Sequence, residues 1–224
     1  MGGRLDRIYL FFAACYLAQG LSGLIYEPVS YLLKDGLGLG PAQSATFVWW
    51  MTLPMLVKPV FGLLSDLVPI RHRRRRPHMA AACLLWAASL AALAAYGRPR
   101  YGLLLALLIL VNVGLVFGDI VCDAVMVEQG QRLGKTGPYQ AVQIGVLYAT
   151  IVATGIGGGW LAAHVETRLV FALAACFPLL ALGSVVWLRE PQAPSPSSGV
   201  GALAAVLRSR RFWAVSAVIF IWSF

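Results

Sequence analysis

The chain has 224 residues, of which 59% are hydrophobic and only 12% are charged. A soluble domain carries about 25% charged residues and could not keep so many apolar groups away from water, so this composition excludes a soluble globular protein. The formal net charge is +9, but the basic residues lie between apolar segments. We therefore interpret them as contacts with membrane lipid and as topology signals, and we expect no nucleic-acid partner. The four cysteines lie within apolar segments without CxxC spacing, so we expect neither a metal site nor a cofactor.

Six apolar segments are long enough to cross a bilayer, which requires about 20 residues in an α-helix. In chain order, they are Ile8–Leu33, Gln43–Leu64, Met79–Tyr96, Tyr101–Val127, Tyr139–Ala163 and Leu169–Leu188, and we number them spans 1 to 6. Each should be a helix because lipid offers no partner for unpaired backbone groups. The predicted fold class is therefore all-α, a polytopic membrane helical bundle that occupies residues 1–190.

The residues after span 6 differ from the spans in composition. Residues 191–211 begin with a segment rich in Pro, Ser and Gly, which is typical of a flexible linker, and we expect this linker in the cytoplasm. Residues 212–224 are apolar again but too few to cross a bilayer. We therefore expect them to begin a truncated seventh helix, and we expect a C-terminal six-helix half to be missing from this chain.

The basic residues are unequally divided between the two sets of loops. One set, which includes the N-terminus and the segment after span 6, holds thirteen: Arg4, Arg7, Arg71, Arg73, Arg74, Arg75, Arg76, Arg132, Lys135, Arg189, Arg208, Arg210 and Arg211. The other set holds four: Lys34, Arg98, Arg100 and Arg168. The positive-inside rule therefore predicts an integral, multi-pass membrane protein with a cytoplasmic N-terminus.

The strongly polar residues are confined to four of the six spans. Spans 1, 2, 4 and 5 carry Gln19, Glu27, Lys58, Asp66, Asn112, Asp119, Asp123, Gln140, Gln143 and Tyr148. Because an ionisable group in a membrane usually faces a partner or a water-filled cavity, we expect these four helices to surround a polar path while spans 3 and 6 face lipid. This division fits the inverted three-plus-three repeats of many secondary transporters.

Four ionisable residues are candidates for the transport path and for proton coupling. Asp119 and Asp123 are four residues apart and share one helix face, and Lys58 lies at a similar depth on span 2. A Lys58–Asp119 ion pair would lower the cost of burying both charges. This pair either locks spans 2 and 4 together or exchanges a proton during transport. Glu27, followed by Pro28, is either a fourth path residue or an interfacial carboxylate at a helix kink.

The end of span 2 resembles a known transporter signature. Gly62 is followed four residues later by Asp66 and then by a basic loop, as between the second and third helices of major facilitator transporters. The chain also resembles the folate–biopterin transporter family in Leu53-Pro54, Lys58-Pro59, Ser65-Asp66, Arg74-Arg75-Arg76-Pro77, Asp123-Ala124, Val127-Glu128 and Phe212-Trp213. The resemblance implies a fold like the N-domain of a major facilitator. It also implies a small-molecule substrate, such as folate or biopterin, that is taken up with protons by alternating access.

The charge pattern of this signature has a physical interpretation. Asp66 ends span 2 beside a cation cluster, so it can pair with an arginine or cap a neighbouring helix N-terminus. Such a contact would close the cytoplasmic side and would have to break when the carrier opens inward. We therefore assign Gly62, Asp66, Arg74 and Arg75 to a cytoplasmic gate, and the number of arginines leaves the partner of Asp66 open.

Two other features allow alternative interpretations. Gly155 and Gly159 of span 5 form a GxxxG pattern, which permits close helix approach and would serve either static packing or sliding. Ser22 lies in a GxSG string, a pattern that is also found around the catalytic serine of some intramembrane proteases. No histidine of this sequence is placed opposite Ser22 in the membrane, so we expect no enzyme. A six-helix membrane half that binds a partner without transporting remains the main alternative to a carrier.

Overall fold

The computed structural model describes residues 2–68, 70, 73–97, 100–188, 190, 208–210 and 213–214. Within these residues the structure is helical, apart from one isolated bridge between Ile70 and Arg73, and it contains no strand. The predicted all-α membrane bundle is therefore confirmed. The predicted linker, 191–211, and the predicted seventh helix, 212–224, lie almost entirely outside the described residues.

The described helices are interrupted in three of the six spans. The α-helices are α1 (Gly2–Leu21), α2 (Tyr26–Tyr31), α3 (Pro41–Thr52), α4 (Lys58–Leu67), α5 (Arg76–Tyr96), α6 (Tyr101–Leu133), α7 (Thr136–His164), α8 (Thr167–Ala174) and α9 (Phe177–Ser184). Short 3-10 helices cover Ser22–Ile25, Leu53–Val57 and Val185–Trp187, and a π-helical turn covers Leu32–Gly36. Among the described residues, six segments are long and apolar enough to cross a membrane: Arg7–Gly36, Pro41–Asp66, Arg76–Tyr96, Tyr101–Leu133, Thr136–His164 and Thr167–Trp187.

Span 4 is longer than the sequence predicts. Its helix continues past the predicted end at Val127 to Leu133. It stops there because Gly134 adopts a left-handed conformation with φ of 64°, which glycine reaches without steric cost and which commonly ends a helix. The extension places Glu128 on the same helix as Asp119 and Asp123.

Span 2 is broken near its middle. The 3-10 segment Leu53–Val57 separates α3 from α4, and Pro54 and Pro59 lie within and just after this segment. Proline lacks a backbone N–H and cannot continue the α-helical hydrogen-bond ladder. As a result, α4 is a separate ten-residue helix that begins at Lys58.

The close contact of spans 3 and 4 depends on glycine. A Cβ atom added at Gly114 would lie 2.7 Å from the Trp86 Cβ and 2.8 Å from the Ala82 carbonyl oxygen. Gly118, one turn along, lies against Met79 of span 3. Because this face of α6 is committed to span 3, the face that carries Asp119 is turned away from span 3.

Glycines also bring spans 1 and 5 together, but not those of the predicted GxxxG pattern. A Cβ at Gly20 would lie 2.5 Å from the Thr150 Cβ, and one at Gly23 would lie 2.8 Å from the Thr154 Oγ1. By contrast, a Cβ at Gly155 or at Gly159 would meet nothing within 4 Å. Within the described residues this pair makes no close helix contact, because both glycines lie on a face of α7 that points away from span 1, and its role in packing or sliding stays a prediction.

The same contacts explain the GxSG string around Ser22. Its two glycines are packing positions against span 5, and the buried Ser22 hydroxyl donates to the Ala18 carbonyl at 3.0 Å. The string therefore has a structural role that requires no catalysis.

The packing of the spans follows a repeated pattern. Span 1 packs against spans 5 and 6, and span 4 packs in the corresponding way against spans 2 and 3. Spans 3 and 6 pack against each other, and spans 1 and 4 also contact each other. These contacts are preserved when spans 1, 2 and 3 are exchanged for spans 4, 5 and 6, as expected of two related three-helix units. The lipid-facing position of spans 3 and 6 stays a prediction.

Candidate functional site

The structure brings Lys58 and Asp119 together. The Lys58 Nζ donates to the Asp119 Oδ2 at 3.0 Å, which joins the first residue of α4 to the middle of α6. The lysine side chain is 47% exposed and the aspartate side chain 15% exposed. The ammonium group is therefore accessible from outside the six-helix bundle, whereas the carboxylate is largely covered.

Asp123 has a different partner. The Tyr16 hydroxyl of span 1 donates to the Asp123 Oδ1 at 2.7 Å. Two carboxylates one turn apart on α6 thus face a cation and a neutral hydroxyl donor. Because the contact with Tyr16 is not an ion pair, Asp123 can accept a proton without leaving a buried cation unpaired. We refer to Tyr16, Lys58, Asp119 and Asp123 as the mid-span cluster.

Glu27 lies apart from the mid-span cluster. It is exposed on α2, and its Cγ would lie 3.8 Å from a Cβ added at Gly158 of span 5. Tyr16, which marks the level of Asp123, precedes Glu27 by eleven residues, about 16 Å along a helix. Among the described residues, Glu27 forms no ion pair with Lys58. The structure therefore does not group Glu27 with the other three predicted path residues.

A second cluster surrounds Arg75 at the end of the bundle that carries the basic loop. The Arg75 Nη2 lies 2.6 Å from the Asp66 Oδ1, its Nε donates to the Glu128 Oε1 at 3.1 Å, and its Nη1 donates to the Ser65 Oγ at 2.8 Å. This Arg75 cluster (Ser65, Asp66, Arg75 and Glu128) joins the end of span 2, the start of span 3 and span 4. Arg75 is thus the partner of Asp66 that the sequence left open.

The charge of Arg75 is secured by its two carboxylate partners. Burial lowers the pKa of Arg75, but the hydrogen bond and charge of Glu128, together with those of Asp66, outweigh burial and raise the pKa above its usual value. The guanidinium is therefore protonated throughout the physiological range, and the cluster is held by a permanent cation.

The other two predicted gate residues lie near the Arg75 cluster but contribute differently. The backbone of Arg74 makes two hydrogen bonds: its N–H donates to Glu190, and its carbonyl accepts from the His78 Nδ1 at 2.6 Å. A Cβ at Gly62 would lie 3.7 Å from the Ile120 Cγ2, an ordinary van der Waals contact. Close packing therefore does not require glycine at position 62 in this conformation.

Four residues of these contacts were not assigned to a site from the sequence: Tyr16, Ser65, Glu128 and Glu190. Ser65 and Glu128 were noted only as parts of the family resemblance. Glu128 follows Asp119 by nine residues, and extending span 4 beyond Val127 would have revealed it. Tyr16 and Glu190 are brought to their partners by helix packing, and no local pattern marks either residue.

Comparison with known proteins identifies the family. The family model described as "BT1 family" matches residues 19–216. The chain belongs to the BT1 family. This match confirms the predicted resemblance to folate–biopterin transporters.

The curated relatives are transporters and not enzymes, as expected. The chain is 31% identical over 217 residues to "Folate-biopterin transporter" of Synechocystis, an alignment that covers 92% of this chain and 43% of that protein. It is 28% identical over 183 residues to "Probable folate-biopterin transporter 4" of Arabidopsis thaliana, covering 80% and 37%. It is 25% identical over 182 residues to "Folate transporter 2" of Plasmodium falciparum, covering 79% and 39%.

These comparisons also define the extent of the likeness. The chain spans less than half the length of these three curated relatives. No solved structure matches it. Together with six apolar helices, the relatives support a multi-pass integral membrane protein of a transporter family.

Proposed function

We propose that this chain forms one half of a secondary carrier of the major facilitator type that takes up folates or pterins together with protons. The observation that carries the proposal is the mid-span cluster. It contains a half-exposed lysine, its carboxylate partner and a second carboxylate one turn away, all on helices that meet at a break in span 2. Transporter sites commonly lie beside such discontinuous helices near the bilayer midplane.

The Lys58–Asp119 pair supplies a way to couple protons to an anionic substrate. When Asp119 is ionised, it holds the Lys58 ammonium at 3.0 Å. Protonation of Asp119 would remove the ion pair and leave the exposed ammonium available to a carboxylate, a group that folates carry. Binding of the substrate and uptake of the proton would then favour each other, as coupled transport requires.

Helix α4 connects this coupling step to a gate at the Arg75 cluster. Lys58 begins α4, and Asp66 lies eight residues later, about 12 Å away along the helix. Lys58 therefore connects this short helix to span 4, and Asp66 connects it to the start of span 3. Release of Lys58 from Asp119 would free one end of α4, and opening of the gate would require separation of Asp66 from Arg75.

The remaining parts of the proposal concern orientation and the second half. The Arg75 cluster lies at the end that the positive-inside rule assigns to the cytoplasm. Spans 2 and 5 are the least buried of the six, and Gly155 and Gly159 of span 5 leave room for a close neighbour. We infer that a second six-helix half packs against spans 2 and 5, with lipid around the remaining surface.

The test is proton-driven uptake into liposomes by the complete protein encoded by the gene. We expect an inward proton gradient to drive uptake of labelled folate or biopterin. Asp119→Asn should abolish the response to the gradient, because the amide cannot exchange a proton. Asp35→Asn is the matched control, since Asp35 lies at the far end of span 1 outside both clusters.

Two results would contradict the proposal. Uptake by Asp119→Asn with an unchanged dependence on the proton gradient would exclude Asp119 from coupling. Absence of transport by the complete protein for any folate or pterin would favour the alternative, a membrane half that binds a partner, and pull-down of that partner from solubilised membranes would then be the next measurement.

A further inference from the structure

Glu190 lies where two separate parts of the chain meet. It follows the last helical turn of span 6, and its carboxylate lies at the N-terminus of α5, the helix of span 3. Three consecutive backbone N–H groups donate to it. Those of Arg74 and Arg75 reach Oε1 at 2.5 and 2.7 Å, and that of Arg76 reaches Oε2 at 3.0 Å.

This contact provides hydrogen-bond acceptors for backbone N–H groups at the start of α5. The first N–H groups of an α-helix have no partner within the helix and carry partial positive charge, so a carboxylate placed there is stabilising. Arg75 occupies the N-cap position of α5 and makes no side-chain capping hydrogen bond to the helix. A residue more than a hundred positions away along the chain therefore caps this helix.

The same contact bears directly on the Arg75 cluster. The Arg75 backbone is held by Glu190, while its guanidinium is held by Asp66, Glu128 and Ser65. Holding the backbone of Arg75 in place lowers the entropy cost of keeping its long side chain against three partners at once.

We propose that Glu190 is a positioning residue, whose carboxylate caps α5 and thereby holds Arg75 where its guanidinium joins span 2 to span 4. The cap and the joining of the two spans stand on geometry alone, whereas the description of that junction as a gate rests on the proposed function. Glu190 immediately precedes the predicted linker. The junction of spans 2 and 4 would therefore depend on the position at which the chain leaves span 6.

Hydrogen exchange tests the cap. Glu190→Ala, Glu190→Gln and the unchanged protein would be compared in lipid nanodiscs by mass spectrometry of peptides that cover residues 73–80. We expect the amides of Arg74, Arg75 and Arg76 to exchange on the order of tenfold faster in Glu190→Ala, a typical effect of losing an N-terminal cap. Glu190→Gln should lie between the two, because its amide keeps one acceptor oxygen.

The matched control is Glu166→Gln. Glu166 occupies the N-cap position of α8 at the opposite end of span 6 and makes no side-chain capping hydrogen bond. The substitution Glu166→Gln therefore removes one negative charge at a helix start without removing a cap. Unchanged exchange at residues 74–76 in Glu190→Ala would overturn the proposed cap.

A distance measurement tests the positioning role without requiring transport. Spin labels at Leu64→Cys of span 2 and Leu133→Cys of span 4, both exposed positions, would report the junction in a background whose native cysteines are replaced by alanine. We expect Glu190→Ala to increase the population with the longer distance, and we expect no further increase when Arg75→Gln is added. Agreement with both expectations supports the inference.

The outcomes separate the inference from the proposed function. Faster exchange with an unchanged distance distribution would mean that Glu190 caps α5 without positioning Arg75, which overturns the proposal. The proposal would also be overturned if Glu190→Ala lengthened the distance in a protein that already carries Arg75→Gln by as much as it does in the unchanged protein, because the effect would then not pass through Arg75. Failure of the unchanged protein to transport would instead count against the proposed function, and the exchange and distance results would still decide the role of Glu190.

Discussion

The cation of the mid-span cluster, Lys58, is more exposed and has fewer contacts than Arg75, the cation of the Arg75 cluster, although α4 contributes to both clusters. Among the described residues, Asp119 and Asp123 each have one side-chain partner, and the Lys58 side chain is half exposed. The Arg75 side chain is only 8% exposed and contacts three side chains. A contact with a single partner can be exchanged at low cost, whereas a buried cation with several partners resists separation. The comparison favours a mid-span site that exchanges its partners at low cost and a junction at Arg75 whose opening costs more.

The largest expected effect is that of Arg75→Gln. It removes three contacts and leaves Asp66 and Glu128 without their shared cation, so we expect a loss of about 2 kcal/mol in stability, measured by thermal unfolding in detergent. Arg132→Gln is the control, because Arg132 lies at the same end and its guanidinium donates to the neutral side chain of Gln129. Equal effects of the two substitutions would show that the Arg75 cluster is no stronger than an ordinary surface contact.

The next largest effect concerns the Lys58–Asp119 ion pair of the mid-span cluster. Lys58→Gln and Asp119→Asn should each destabilise the protein by about 1 kcal/mol, because each leaves one charge without its partner. The double variant should be more stable than the sum of the single effects predicts. Additive losses in thermal unfolding would mean that the observed contact contributes little coupling energy.

Tyr16→Phe should have a smaller effect. It removes one hydrogen bond to Asp123 while it keeps the buried ring, so we expect proton-driven uptake to fall roughly threefold, equivalent to about 0.7 kcal/mol. Tyr9→Phe is the control. Tyr9 also lies on span 1, but its ring packs against Tyr139 of span 5 and contacts neither aspartate. Unchanged uptake in Tyr16→Phe would remove Tyr16 from the transport mechanism.

The smallest expected effect is that of Gly62→Ala, between the two clusters on α4. The added Cβ would lie 3.7 Å from Ile120 and would favour the helix, so stability should change by less than about 0.5 kcal/mol. A large loss of uptake with unchanged thermal unfolding would show that position 62 must be glycine in another conformation. Gly114→Ala provides the contrast, because its Cβ would meet span 3 at 2.7 Å and should destabilise the bundle.

Several features of the site were predictable because they depend on intervals along single helices. The depth of Lys58 and Asp119 follows from counting residues from the helix ends, and the two residues do form an ion pair. Asp66 and an arginine of the following loop are close in sequence, so their contact needed little tertiary information. Glu27 was grouped with the path on residue type alone, and its distance from the mid-span cluster could have been estimated from the helix rise.

Other contacts could not be predicted from local sequence. Tyr16 meets Asp123 only because span 1 packs beside span 4, and Glu190 meets α5 only because the end of span 6 lies beside the start of span 3. The glycines at positions 20 and 23 likewise acquire their role from Thr150 and Thr154 of span 5. Each of these pairs is separated by more than a hundred residues.

The sequence by itself determined that this protein is an all-helical membrane bundle with six spans, and it located the charges that those spans bury. The physical reason is that apolar length and the cost of burying charge are properties of single segments. Only the tertiary structure decided which charge meets which partner, which face of span 5 is open and which residue caps span 3. Those choices depend on the relative rotation and approach of helices, and glycines and caps distant in sequence set them.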